Sequence, residues 1–89
     1  MTTYKVGKGR GTKTVQARQF LNAYDQSLAQ WAQGVLHAER NGQNHIRIHR
    51  KGEETLYVYG GDWILKHEDG TVSVMSRTEF ASTAREVRE

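Results

Sequence analysis

Residues 60–80 read Gly-Gly-Asp-Trp-Ile-Leu-Lys-His-Glu-Asp-Gly-Thr-Val-Ser-Val-Met-Ser-Arg-Thr-Glu-Phe, and this stretch sets the expected fold. Gly60-Gly61 tolerates positive φ, and Asp62 is of the type that bonds its own following backbone, so the segment opens on a turn. Trp63-Ile64-Leu65-Lys66 follows as the most apolar strand of the chain. Asp69-Gly70 is a hairpin dipeptide that folds this strand back onto residues 71–75. Ser76 with Glu79 three positions on is a capping box, which opens a short helix through Phe80, the predicted plug of the core. The stretch is a folding signal and supplies no nucleophile, metal cage or phosphate cradle.

Upstream of it the apolar period is two. His45-Ile46-Arg47-Ile48-His49-Arg50 alternates with Ile46 and Ile48 inward, so His45, Arg47 and His49 are expected together on the outer face, with Arg50 and Lys51 at the strand end. Residues 52–54 turn the chain into Thr55-Leu56-Tyr57-Val58-Tyr59, where Leu56 and Val58 share one face and Tyr57 and Tyr59 the other. Residues 35–39 form a short strand candidate, and Asn41-Gly42 predicts a tight hairpin between it and the next strand.

Further back, Phe20, Tyr24, Leu28, Trp31 and Val35 recur at helical spacing, with Tyr24 and Trp31 read as core aromatics. A helix over residues 23–33 is predicted, capped by Asn22 with Asp25 three positions on and ended by Gly34. Residues 13–20 are compatible with either a strand or a helical extension.

The chain has 89 residues and a formal charge of +3. A domain of that size buries about 60% of its unfolded surface, enough for a modest core. The absence of cysteine excludes a disulfide framework or thiolate metal site and fits a reducing cytoplasm. No apolar run approaches the roughly 18 to 20 residues of a membrane span, and the opening residues lack the apolar core of a signal peptide, so no membrane partner is expected. Of thirteen basic side chains four lie in residues 1–14, which contain no acid; the remaining nine face ten acids. Charge is therefore concentrated in a basic tail. Residues 1–12, rich in glycine and carrying Lys8 and Arg10, have little to bury and are expected to form a flexible arm, either a plain solvated tail or one that meets phosphates non-specifically. Residues 7–14 superficially suggest a phosphate-binding loop, but Thr12 stands where the glycine before the lysine belongs and no apolar strand precedes it.

Val15, Ala17, Gln19 and Phe20, then Leu28, Trp31 and Gly34, and finally Gly61-Asp62-Trp63-Ile64 with Asp69-Gly70, Phe80 and Val87, resemble small proteins of tailed bacteriophages and prophages that end in a Pro-Gly-Asp-Trp-Ile type segment. The resemblance spans most of residues 13–87. It implies a strand, a helix and then antiparallel strands, which favours a strand at residues 15–20. Gly60 stands where that family usually has proline, and residues 83–87 lack its closing aromatic and proline. The implied role is accessory, in the host cytoplasm, acting on a host or phage protein.

The expected fold is α+β: a twisted antiparallel sheet or partial barrel of about five to six strands, one principal helix and a short C-terminal helix. Residues 82–89 read as an edge strand or a frayed helix. Neither cofactor, metal nor catalysis is expected. His45 and His49 lie about 13 Å apart on a strand and cannot share an ion. Glu53, Glu54, Glu68 and Asp69 read as solvated turn-formers. The expected function is non-catalytic binding of a macromolecule. Nucleic acid is the alternative ligand, through Lys8, Arg10, His45, Arg47, His49, Arg50, Lys51, Tyr57 and Tyr59. A homo-oligomer or a nucleotide-sequestering protein are further readings.

Overall fold

The computed structural model describes residues 3–7 and 13–86. In chain order the elements are β1 (Thr3–Val6), β2 (Lys13–Gln19), α1 (Gln26–Trp31), β3 (Val35–His37), β4 (His45–Ile48), β5 (Leu56–Val58), β6 (Trp63–His67), β7 (Val72–Met75), α2 (Arg77–Thr83) and β8 (Arg85–Glu86). The fold is α+β. All strand pairs are antiparallel and form a five-stranded sheet of order β7-β6-β2-β1-β8 and a three-stranded sheet of order β3-β4-β5.

The apolar run of β6 follows from its position. It lies between β7 and β2, and its residues alternate between two cores. Ile64 faces a core with Phe20, Leu28, Ile46, Ile48 and Val58, enclosed by α1 and the inner side of the three-stranded sheet. Trp63 and Leu65 face a second core with Val15, Ala17 and Phe80, covered by α2. A strand covered on both faces has no polar side, hence the unbroken Trp-Ile-Leu. Phe80 fills the expected place: its ring stacks on Trp63 at 3.8 Å between centroids and 9° between planes. Ser76 caps α2 by accepting the Glu79 amide at 3.2 Å.

One turn locates the smaller sheet, and a second closes the β6-β7 hairpin of the larger one. Tyr59 to Asp62 form a β-turn closed by the Asp62 amide on the Tyr59 carbonyl at 3.0 Å, with Gly61 at φ +93°. Positive φ at the third turn position is the mark of a type II turn. Asp62 bonds backward here: its carboxylate accepts the Tyr59 amide at 3.0 Å, where a bond to the following backbone was expected. The Gly61 amide donates to the Phe20 carbonyl at 2.8 Å and the Phe20 amide to the Asp62 carbonyl at 2.9 Å, so the points where the chain leaves and rejoins the larger sheet are stitched together. The β6-β7 connection is a three-residue turn of Glu68, Asp69 and Gly70, braced by Asp69 accepting the Thr71 amide and hydroxyl at 2.9 and 2.6 Å.

Several sequence expectations are corrected. Thr3–Val6 is a strand and not part of a mobile arm; it is held between β2 and β8, and Tyr4 packs edge-on against Trp63 and Phe80 at 5.7 and 5.1 Å. Lys8 and Arg10 lie outside the described residues. A strand thus does precede residue 7, but the segment leads into strand β2 from Lys13, where a phosphate-binding loop requires a helix. The first helix is shorter than expected. Its cap is Asp25, accepting the Leu28 amide at 3.0 Å, while Asn22 accepts the Tyr24 amide in an upstream turn. Tyr24 then falls outside the helix and is 73% exposed, not a core residue. Trp31 is partly buried, flanked by Arg18 and Lys66 at 5.6 and 5.2 Å, with Lys66 Nζ donating to the Trp31 carbonyl. Residues 13–19 are the strand that the phage resemblance favours, and residues 85–86 are an edge strand.

Gly34 does more than end α1. The Gly34 amide donates to Ala29 at 2.8 Å and the Gln33 amide to Gln30 at 3.1 Å, the bond pair of a Schellman motif, with Gln33 carrying the positive φ of 58°. Gly34 sits against β4 so closely that a Cβ there would lie 2.8 Å from the Arg47 carbonyl oxygen and 2.9 Å from an Ile46 methyl.

Candidate functional site

The pairing of the three-stranded sheet aligns its outward side chains in rows. Val35, Arg47 and Tyr57 are register partners across β3, β4 and β5, and His37 partners His45. Leu36, Ile46 and Val58 form the inward row between them. Tyr59, just past β5, joins the second outer row with its ring 5.5 Å from that of His45. His49 and Thr55 continue the face beyond, bonded side chain to side chain at 3.1 Å.

Within this face His45 is the hub. Its ring stacks on His37 at 5.5 Å and 10°, and lies 6.0 Å from Tyr57. Arg47 Nε donates to His45 Nε2 at 2.9 Å. That bond places the neutral ring's proton on Nδ1, which faces the Glu39 carboxylate at 3.9 Å, too far for a hydrogen bond. The Arg47 guanidinium also sits 5.8 Å from the Tyr57 ring centre. The His37 pKa is lowered, first by lost hydration and then by the positive charge of Arg47 and the neighbouring His45 and His49, with Glu39 opposing.

The expectation that His45 is an exposed contact is corrected: it is 5% exposed. Alternation assigned it to the right face, but the middle strand of three has long neighbours on both sides, and the His37, Tyr57 and Tyr59 rings with Arg47 cover it. It organises the surface from beneath. Tyr57 and Tyr59, each 48% exposed, present the rings to solvent. Arg47 is half-buried, and His49 and Lys51 are exposed. Arg50 is committed: it donates to the Glu54 carbonyl at 2.9 and 3.0 Å and pairs with Glu53 at 3.1 Å, which closes the β4-β5 turn.

Sequence reading missed three contributors. His37 and Val35 enter the face through the β3-β4 register, which the parity of residues 35 and 37 with 45 and 47 signals once those strands are paired. The connection is not the tight Asn41-Gly42 hairpin but a loop of residues 38–44. Asn44 holds that loop. It is 7% exposed, accepts the Glu39 amide at 3.1 Å and donates to the Ala23 carbonyl at 3.0 Å. Nothing local in the sequence marks it.

Beside Tyr59 the face borders a cleft of about 380 Å³, lined by Leu21, Ala23, Gln43, Asn44 and Gly60 among others. The Asn44 amide is already bonded on both sides, so the cleft offers shape more than directed polarity. Among the described residues, no three His, Asp or Glu side chains are grouped to hold a metal ion, and no helix is long and apolar enough to cross a membrane.

No family model matches the chain, and comparisons with curated proteins and with solved structures likewise give no match.

Proposed function

We propose that this chain is a non-catalytic binding module whose contact surface is the outer face of the β3-β4-β5 sheet. The supporting observation is the pair of exposed rings, Tyr57 and Tyr59, set on a layer in which Arg47 bonds to His45 and His37 stacks on it. Aromatic and arginine side chains in a fixed array contribute disproportionately to binding, because little conformational freedom is lost on contact. The sequence resemblance to tailed-phage proteins extends the reading to an accessory role on a host or phage macromolecule in the host cytoplasm.

The test compares immobilised wild-type protein with a Tyr57→Ser/Arg47→Glu double variant and with Tyr24→Ser, an exposed change off the face. Captured protein and nucleic acid from bacterial lysate are both quantified. Capture lost in the double variant and kept in Tyr24→Ser is expected. Equal capture by all three, or none above background by wild type, overturns the proposal.

A further inference from the structure

Resting on the binding reading above, we infer that the ligand of this face is single-stranded nucleic acid, with bases on Tyr57 and Tyr59 and phosphates on Arg47 and Lys51. The residues of β3, β4 and β5 include no aspartate or glutamate. The permanent cations here are Arg47, within the face, and Lys51, exposed in the turn that follows β4. The carboxylates nearby lie in the flanking loops; Glu53 is paired with Arg50, and Glu39 approaches His45. An anionic ligand therefore meets cations and rings over strands that themselves carry no acid, with the Glu39 carboxylate beside His45 and the Asp62 carboxylate on the Tyr59 amide at the margin.

Spacing selects the strand state. Tyr57 and Tyr59 are two residues apart, about 6.6 Å along an extended chain. That is nearly twice the roughly 3.4 Å rise of a stacked strand, so successive rings meet successive bases only when the bases are splayed. Duplex bases have their flat faces covered by neighbours and cannot reach the rings. Tyr59 also borders the cleft beside Leu21, Ala23 and Gln43, which gives a third base beyond the rings a recess to enter. Arg47 is braced by its bond to His45, so its guanidinium is oriented before the ligand arrives.

Fluorescence anisotropy with labelled oligothymidine, oligouridine and a self-complementary DNA duplex, at about 50 and 200 mM salt, tests this. Wild type is expected to bind the single strands at least about tenfold more tightly than the duplex. Tyr57→Ala should weaken single-strand binding by about 5- to 150-fold, the range for losing one base stack, while Tyr57→Phe retains it. Lys51→Gln should flatten the log-log salt dependence by about 0.7, one phosphate contact. A Lys8→Gln/Arg10→Gln variant separates the charge of these two residues from that of the face and should leave the single-strand preference intact. Equal affinity for duplex and single strand, or Tyr57→Ala indistinguishable from wild type with an unchanged circular dichroism spectrum, overturns the inference. Absent oligonucleotide binding with face-dependent protein capture from lysate overturns the inference and leaves the binding module standing. Loss of both overturns both.

Discussion

Replacing Gly34 with alanine adds one methyl at the tightest point of the molecule. The new carbon would lie 2.8 Å from the Arg47 carbonyl oxygen, 2.9 Å from Ile46 Cγ2 and 3.0 Å from Ile48 Cγ1, where comfortable separations are about 3.5 to 4.0 Å. All three atoms belong to β4, the middle strand of its sheet. Ile46 and Ile48 are fully packed, and the carbonyl is backbone, so no single rotamer change relieves the overlap. Overpacking of this kind costs about 1 to 3 kcal/mol, and the backbone contact places Gly34→Ala at the upper end. Alanine's smaller unfolded-state entropy returns about 0.4 to 1 kcal/mol. The net loss is about 2 kcal/mol, equivalent to a fall in Tm of about 8 to 16 °C for a domain of this size. Thermal and urea unfolding followed by circular dichroism measure it, with Gly60→Ala as the control, since a Cβ at Gly60 meets nothing within 4 Å. A Gly34→Ala protein melting at or above the wild-type temperature would refute the packing argument.

Gly60→Pro is expected to stabilise by about 0.4 to 1 kcal/mol, because Gly60 is the second residue of a type II turn, a position that proline pre-sets; an unchanged or lowered urea midpoint contradicts it. On acidification stability should fall in two steps. His37 has a folded pKa below its usual 6.5, so the unfolded chain takes up that proton first, and stability is full above about 6.5 and lost as the pH falls toward the folded value. Asp25 and Asp69, both lowered from 3.8 chiefly by bonds from Ser27 and Thr71, contribute stability above that value that is lost as pH falls through their folded pKa values. Urea midpoints across this range should show the upper step diminished in His37→Gln; an identical profile in that variant removes the assignment.

The parts of the fold legible in the sequence are those whose cause is local. The Asp69-Gly70 turn, the Ser76 cap and the alternation of residues 45–48 and 56–58 depend on neighbours within a few positions, and each occurs where the pattern places it. Thr3–Val6 was missed because its strand signal, Tyr4 and Val6 alternating with Thr3 and Lys5, is only four residues long and runs into a glycine-rich stretch; β2, β8 and the Trp63 and Phe80 rings hold it in place. The division into two sheets was hidden for the same reason, since it depends on Phe20 meeting Gly61 and Asp62 across some forty residues. At the candidate site, alternation chose the face and its exposed tyrosines. It does not state depth, which is why His45 reads as a contact and is instead buried under its neighbours.

The alternation of β6 between two cores has a thermodynamic consequence. Ile64 belongs to one core, and Trp63 and Leu65 to the other, on consecutive links of one backbone. Neither core can melt while the other keeps its strand in place, so loss of either propagates through β6 to both. The molecule should accordingly unfold in a single all-or-none transition, with the β6 amides among the slowest to exchange with deuterium, opening only when the whole structure does.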